Sequence, residues 1–174
     1  MAQSISAPTA RERNAWLRLD DAALMAQCKE HAYRASGPGG QHRNKVETAV
    51  QATHRPSGVV AHAEDSRSRE ENRKRALRRL RERIAFEIRT PYEETPELAA
   101  QRHGKALAVN TRNPAYPLVV APALDALAEA GGSYAKAAAL IGVTTSQLLK
   151  FLQNDRELWR TVTETRGERA ETPG

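Results

Sequence analysis

The residues best suited to chemistry lie in one decapeptide, Ser36 to Lys45, which reads Ser-Gly-Pro-Gly-Gly-Gln-His-Arg-Asn-Lys. It holds three glycines in four positions, Gly37, Gly39 and Gly40, and therefore cannot form the interior of a helix or strand. Backbone without Cβ atoms can approach a ligand closely and can adopt positive φ angles. The neutral amide of Gln41 follows, with polar and basic residues behind it. The pattern predicts a loop whose tip, bare backbone with one amide side chain, enters a narrow space. The polar and basic residues that follow the tip would hold phosphate groups.

Other arrangements that support hydrolysis or metal binding do not occur in the sequence. There is no ordered set of serine, histidine and acid, no paired carboxylates and no metal-ligand spacing. The single cysteine, Cys28, excludes a disulfide framework and a multi-cysteine zinc site, and its residue type favours a small buried hydrophobe. We therefore expect no cofactor and no metal.

The charge of the chain favours an anionic partner. The net charge is +6 and the isoelectric point about 9.8. Residues 66–90 hold ten Lys/Arg and four Asp/Glu, whereas residues 97–174 hold nine and eight. The basicity thus belongs to one segment. Because no apolar run of transmembrane length and no secretory signal occurs, we expect a cytoplasmic protein without membrane contact.

The segment before the decapeptide contains two weak signals for structure. Residues 1–19 are interpreted as a flexible N-terminus, irregular over 1–14. Asp20 and Asp21 are typical of the start of a short helix. Residues 27–35 alternate poorly, and a strand there rests partly on the family resemblance described below.

The segment after the decapeptide predicts a hairpin and a long helix. We expect a short helix over Val46 to Val50, then two strands, 50–55 and 59–64, around the turn Pro56-Ser57-Gly58. The apolar residues of 66–89 follow helical spacing, with Ser66 as a cap and Thr90-Pro91 as the end. The other faces of this helix carry the cations Arg73, Lys74, Arg75, Arg78, Arg79, Arg81 and Arg83. Such a face is commonly only solvated, but beside the glycine-rich loop we interpret it as an RNA contact.

The second half of the chain predicts a connector and a helical unit. The connector, 91–117, is punctuated by prolines and has room for one short helix between Pro96 and Ala108. Helices are expected over the ranges 122–130, 134–141 with Ser133 as its cap, 145–153 and 155–166. The stretch Ser133 to Gln153 is typical of a helix-turn-helix, although an ordinary helical hairpin is the alternative. Its candidate contact residues are Thr144, Thr145, Gln147 and Lys150.

The decapeptide and its flanks resemble the Gly-Gly-Gln domain of class I peptide chain release factors and of the stand-alone ribosome-rescue hydrolases built on it. The resemblance covers residues 20–90, about 40% of the chain. It rests on the decapeptide and then on Thr48-Ala49-Val50, Thr53-His54, Pro56-Ser57-Gly58-Val59-Val60, Ser66-Arg67-Ser68, Asn72 and Lys74. Arg43 departs from the aliphatic residue that is common in the family.

The resemblance implies a fold and a division of the chain. The fold is α+β, a small mixed sheet with the Gly-Gly-Gln loop and a long basic helix, followed by a small all-α unit. The predicted divisions are a flexible N-terminus (1–19), the catalytic domain (20–90), a connector (91–117), a helix-turn-helix-like unit (118–166) and a flexible tail (167–174).

The resemblance also implies hydrolysis of the ester between a nascent peptide and its tRNA. Gly39 and Gly40 would let the backbone fit between walls of RNA, and the N–H of Gln41 would stabilise the oxyanion of the transition state. His42 could be taken for a base, but we interpret it as an RNA contact. The other implied or inferred RNA contacts are Arg34, Arg43, Asn44, Lys45 and the basic helix residues Arg73, Lys74, Arg75, Arg78, Arg79 and Arg81.

The resemblance implies ribosomal RNA and peptidyl-tRNA as partners of a monomer, with a glutamine methyltransferase acting on Gln41 as a further candidate. About 30 residues precede the domain, so we expect no stop-codon reading, and the last residues lack a strongly basic tail. Recruitment is then expected from the helical unit, through Thr145, Gln147 and Lys150. The alternative function is noncatalytic RNA or DNA binding by that unit.

Overall fold

The computed structural model describes the backbone of residues 7–34 and 47–170, with side chains described as far as residue 165. The chain divides into two compact units, Arg13–Ile84 and a second that combines Met1–Glu12 with Ala85–Gly174. The segment boundaries expected from the sequence stay a prediction.

The first unit builds a three-stranded sheet and a long helix. Its elements are the greater part of α1 (Ala10–Arg18), α2 (Asp21–Ala26), β1 (Cys28–Tyr33), β2 (Ala49–His54), β3 (Val60–Ala63) and the greater part of α3 (Arg69–Glu87). The strand order is β1-β2-β3, and both pairs are antiparallel. The α+β class is confirmed, with a main sheet that is antiparallel in its three described strands where a mixed sheet was expected.

Alternation along the strands decides which side chains face α3. Val50 and Ala63 are buried on one face of the sheet and form a cluster with Ala76 of α3. Two alanines in this cluster keep the helix close to the sheet. At the outer edge of the sheet, Arg79 donates to the carbonyl of His62 at 2.9 Å and Arg83 donates to that of Val60. These arginines satisfy carbonyl groups that an edge strand would otherwise leave open.

Three local predictions in this unit are wrong. Residues 10–14 are helical rather than irregular, because they belong to α1. Ala49 and Val50 begin a strand rather than end a short helix, since they pair with Tyr33 and Ala32 of β1; Val46 lies outside the described residues. Helix α3 starts at Arg69, and Ser68 rather than Ser66 accepts the N–H of Glu71 at 3.3 Å.

The regular structure of the second unit, in its described residues, is helical apart from one short hairpin. Its elements are α4 (Pro96–Gln101), β4 (Arg102–His103), β5 (Ala106–Leu107), α5 (Tyr116–Glu129), α6 (Tyr134–Ile141), α7 (Thr145–Gln153) and α8 (Arg156–Ala170). Ser133 and Thr144 cap α6 and α7, and Gly142 adopts φ +81° at the turn between them. The predicted bounds of α6 and α7 are confirmed. In the described residues, no helix combines the length and apolarity needed to cross a bilayer.

Helix α5 begins six residues before the predicted start at Pro122, because Pro117 takes the first-turn position. Pro122 lies inside the helix and has no N–H to donate to the carbonyl of Leu118. The hydroxyl of Thr95 donates to that carbonyl instead, at 2.8 Å. A side chain from another segment therefore makes the internal proline tolerable, which no local pattern reveals.

Candidate functional site

The glycine-rich segment is held between two paired strands. β1 ends at Tyr33 and β2 begins at Ala49, and these two residues are register partners. Gly39, Gly40 and Gln41, with His42, Arg43, Asn44 and Lys45, lie in 35–46, outside the described residues. Arg34 and Glu47 stand on either side, with 4.0 Å between the Arg34 Nε and a Glu47 carboxylate oxygen, both side chains being exposed. The described part of the site is thus the base of the segment, which consists of the two strand ends with Arg34 and Glu47.

Asn72 fixes the C-terminal side of this base to the long helix. It is fully buried on α3, and its amide nitrogen donates to the carbonyls of Thr48 and Ser66, each at 2.8 Å. Its amide oxygen accepts the N–H of Ser66 at 2.9 Å. Because Thr48 immediately precedes β2, Asn72 positions the point where the chain returns to the sheet. Asn72 was noted only as part of the family pattern; the signal for its role is an uncharged amide in line with Ala76 and Leu80 on the buried face.

His54 is a structural residue rather than a base. Its ring is fully buried at the end of β2, with Nδ1 2.7 Å from the Ser57 hydroxyl and Nε2 3.0 Å from the Gln27 side-chain oxygen. The Trp16 ring meets it edge-on, with 5.0 Å between centroids. Burial lowers the pKa of His54 to about 4, because the charged form would lose its hydration. The imidazole is neutral near pH 7 and links the turn to the segment before β1.

Three of the six cations predicted to bind RNA join α3 to other elements. Arg73 lies 3.0 Å from Glu30 of β1, Arg79 lies 2.9 Å from Asp65, and Arg81 lies 2.8 Å from Asp21. Arg81 also donates to the carbonyl of Leu19 at 2.9 Å, and only 15% of its side chain is exposed. These contacts stabilise the first unit, whatever else the three side chains bind.

Among the described residues, the other three cations form ion pairs with acids of α3 itself. Lys74, Arg75 and Arg78 face Glu70, Glu71 and Glu82 one turn away, at 3.2, 3.9 and 3.8 Å. All three side chains are well exposed. Exposed pairs of this kind contribute little to stability and exchange readily for another anion. Lys74, Arg75 and Arg78 are therefore the better candidates for phosphate contact, and the role of all six stays a prediction.

The predicted recruitment residues lie on α7. Thr145 and Lys150 are exposed and Gln147 is half-buried, while Leu148 and Leu152 pack inward. The β4–β5 hairpin holds the turn before this helix: the N–H of Thr144 donates to the carbonyl of Lys105 at 3.1 Å, and Arg102 donates to that of Ile141 at 2.7 Å.

A buried ionic cluster in the second unit was not predicted. Asp125 is 1% exposed in the middle of α5 and accepts hydrogen bonds from Arg89 at 3.0 Å and from the N–H and hydroxyl of Thr90, both at 3.1 Å. An acid inside an otherwise apolar helix was the available signal. Within residues 7–34 and 47–165, no group of histidine, cysteine and acidic side chains could hold a metal ion.

The comparisons with known proteins identify the family of the chain. The RF-1 domain matches residues 23–115, more than half of the chain. The chain belongs to the RF-1 domain family, the family of the class I release factor Gly-Gly-Gln domain, so the resemblance inferred from the motif is confirmed.

Individual relatives are peptide chain release factors. Peptide chain release factor 2 of Acidovorax sp. (strain JS42) is 51% identical over 67 residues, 38% of this chain and 18% of the relative. Peptide chain release factor 1 of Geobacter metallireducens is 45% identical over 74 residues, 42% of this chain and 20% of the relative. That of Albidiferax ferrireducens is 44% identical over 79 residues, 45% and 21% of the two chains. The chain thus spans about a fifth of the length of these relatives.

Proposed function

We propose that this protein acts on the ribosome as a release-factor-like hydrolase of the peptidyl-tRNA ester, and that it rescues stalled ribosomes without reading a stop codon. The observation that carries the proposal is the tripeptide Gly39-Gly40-Gln41 inside the matched RF-1 domain. Ribosomal RNA and peptidyl-tRNA are then its partners. A methyltransferase acting on Gln41, a monomeric state and a cytoplasmic location belong to the same proposal.

The chemistry required of the loop is stabilisation of negative charge. Attack of water on the ester carbonyl develops an oxyanion, and one well-placed backbone donor lowers such a barrier by about 3–4 kcal/mol. The N–H of Gln41 supplies that donor, and its side chain restricts the attacking water. Gly39 and Gly40 keep the adjacent backbone free of Cβ atoms.

The test separates rescue from ordinary termination. Purified protein is added to ribosomes that carry labelled peptidyl-tRNA, either with mRNA ending at the P site or with a stop codon in the A site on a long mRNA. We expect peptide release from the first complex and little from the second. Release that is equal from the two complexes, or that requires the stop codon, would contradict the rescue role. Release from neither complex would contradict the hydrolase role.

A second candidate function is noncatalytic binding of RNA or DNA through the helix-turn-helix-like unit. The observation in its favour is that the β4–β5 hairpin holds the turn before α7, whose exposed side chains include Thr145 and Lys150. This candidate would be favoured if the parent protein releases no peptide and the Gly40→Ala variant still binds ribosomes or DNA.

A further inference from the structure

The face of the sheet turned away from α3 is open. The side chains that alternate onto it are Lys29, His31, Tyr33, Gln51, Thr53, Val60 and His62, and none of them is buried. Ala49 shares this face but is fully buried. A sheet of this size has one face packed on the core and one turned to solvent, so exposure alone carries no functional meaning. The residue types on this face do.

Two aromatic rings lie parallel on β1. The centroids of His31 and Tyr33 are 6.4 Å apart and their planes differ by 8°. Burial, and next the carboxylate of Glu64, the residue that follows β3, raise the pKa of the Tyr33 hydroxyl above its ordinary value. Ala49 is the register partner of Tyr33 in β2 and is fully buried, although it shares this face of the sheet. Tyr33 is half-buried, whereas the His31 side chain is exposed.

Polar side chains continue the surface across the strands. The register aligns His31 with Gln51 and Gln51 with His62, so an amide lies between two imidazoles in one row. Lys29 is the only charged side chain on this face of the three described strands, and Val60 is the only aliphatic one larger than alanine. The core of a protein–protein interface is more apolar than this. Aromatic rings with amides and a cation are instead what proteins use to stack and hydrogen-bond unpaired bases.

We propose that this face, from Lys29 to Tyr33 on β1 and across to His62, binds unpaired ribonucleotides by stacking bases on His31 and Tyr33. It is a second RNA-binding surface, on the side of the sheet opposite the α3 cations. Tyr33 lies one residue before Arg34, at the end of β1, so the bound bases would lie at that end of the strand. The proposal rests on the proposed function only for the source of the RNA.

The test is binding of a fluorescein-labelled single-stranded RNA of mixed sequence to the full chain, followed by anisotropy. Because one stacked base contributes about 1–3 kcal/mol, Tyr33→Ala and His31→Ala should each weaken binding about fivefold or more. Tyr33→Phe and His31→Phe keep a ring and should retain most of the affinity. His103→Ala, which removes an exposed histidine from the β4–β5 hairpin, should change nothing.

Two further measurements separate stacking from phosphate contact. The alanine variants should lower affinity without changing the slope of log affinity against log salt, since that slope reports phosphate contacts. An abasic oligonucleotide of the same length should compete poorly against the RNA. Unchanged affinity of the alanine variants, or equal competition by the abasic strand, would overturn the proposal and leave the face to a protein partner. These readouts remain decisive if one alanine variant fails to fold.

The outcome also stands apart from the hydrolase proposal. Gly40→Ala should abolish peptide release yet bind the labelled RNA normally. If Tyr33→Ala binds RNA normally while Gly40→Ala abolishes release, the stacking face is wrong and the hydrolase stands. If Tyr33→Ala weakens RNA binding while Gly40→Ala releases peptide normally, the reverse holds.

Discussion

Gly40 is the residue on which the proposed chemistry depends most. On the proposed function, Gly40→Ala adds a Cβ at a point where the backbone would enter a narrow RNA cavity, and it restricts the φ angle of residue 40. We expect peptide release to fall below detection while the thermal unfolding midpoint stays within a few degrees of the parent value. The measurement is release from ribosomes stalled at the end of an mRNA.

Gln41→Ala is the matched variant, because it removes a side chain but keeps the backbone N–H. It should slow release without abolishing it. Full release activity of Gly40→Ala, or complete loss of release activity in Gln41→Ala, would contradict the assignment of the oxyanion donor to the backbone.

His54 should make stability depend on pH. Its pKa is about 4 when folded, below the usual value of 6.5, so the unfolded chain binds more protons between these values. Stability is therefore full above pH 6.5 and falls as the pH drops towards 4. Urea unfolding should give a free energy about 2–3 kcal/mol lower at pH 4.5 than at pH 7.5 from this group.

The control for that experiment is another histidine of the same unit. His54→Gln should flatten the pH dependence in this window, and His62→Gln, at an exposed position on β3, should retain it. A steep dependence that survives in His54→Gln would assign it to other groups.

At the scale of elements, helix α3 carries two kinds of cation. Replacing Lys74, Arg75 and Arg78 with glutamine removes only intrahelical pairs, so the unfolding midpoint should barely change. If these side chains contact phosphates, ribosome binding should weaken and the salt slope should fall by about two to three units. Binding measured at several salt concentrations checks both.

The matched variant replaces Arg73, Arg79 and Arg81, which reach Glu30, Asp65 and Asp21. It should destabilise the protein, with about 1–2 kcal/mol from Arg81 alone, because a partly buried charged hydrogen bond is lost. An unchanged salt slope in the first variant would show that its cations form only a solvated face.

The elements that could be predicted are those whose ends are marked by their own residues. Ser133, Gly142 and Thr144 mark α6 and α7 by capping and by a left-handed turn, and both helices begin and end where predicted. The strand at Ala49 and Val50 depends on pairing with β1 across residues 35–46, which no short window contains. Helix α1 buries Arg13 and Asn14, residue types that composition assigns to solvent. The predictions for these two elements were wrong because contacts with distant residues determine their structure.

At the scale of the molecule, recruitment is best tested with point variants. Ending the chain before α5 would remove Asp125 and the Leu118 carbonyl, and would leave Arg89, Thr90 and Thr95 without these partners. Thr145→Ala, Gln147→Ala and Lys150→Ala together leave the core intact, since none of the three is buried. We expect weaker binding to stalled ribosomes with unchanged release at saturating protein.

Gln153→Ala, at an exposed position at the end of α7, is the control and should behave as the parent protein. If the triple variant binds stalled ribosomes as tightly as the parent, α7 is not the recruitment surface. If it binds normally but releases peptide slowly, the helical unit acts on catalysis instead.

The sequence points to those residues of the candidate site that form a motif. It does not reveal contacts that a site residue makes with residues far away in the sequence. Gly39, Gly40 and Gln41 stand out because their residue types are unusual together, whatever the fold. The division of the α3 cations was hidden, since the spacing of Arg73 and Lys74 along the helix does not reveal that one reaches β1 and the other does not. The hydrogen bond from Asn72 to the carbonyl of Thr48 likewise joins residues 24 positions apart in the sequence.

The pairing of Tyr33 with Ala49 has an evolutionary consequence. The antiparallel strands bring the two ends of residues 35–46 together, and Asn72 anchors Thr48 beside them. The entropic cost of closing a chain segment between two fixed ends grows only logarithmically, by about 0.6 kcal/mol for each doubling of its length. Insertions and deletions between Arg34 and Glu47 are therefore expected to change the folding free energy little. Selection can therefore change the length of this segment while the sheet and α3 are inherited almost unchanged.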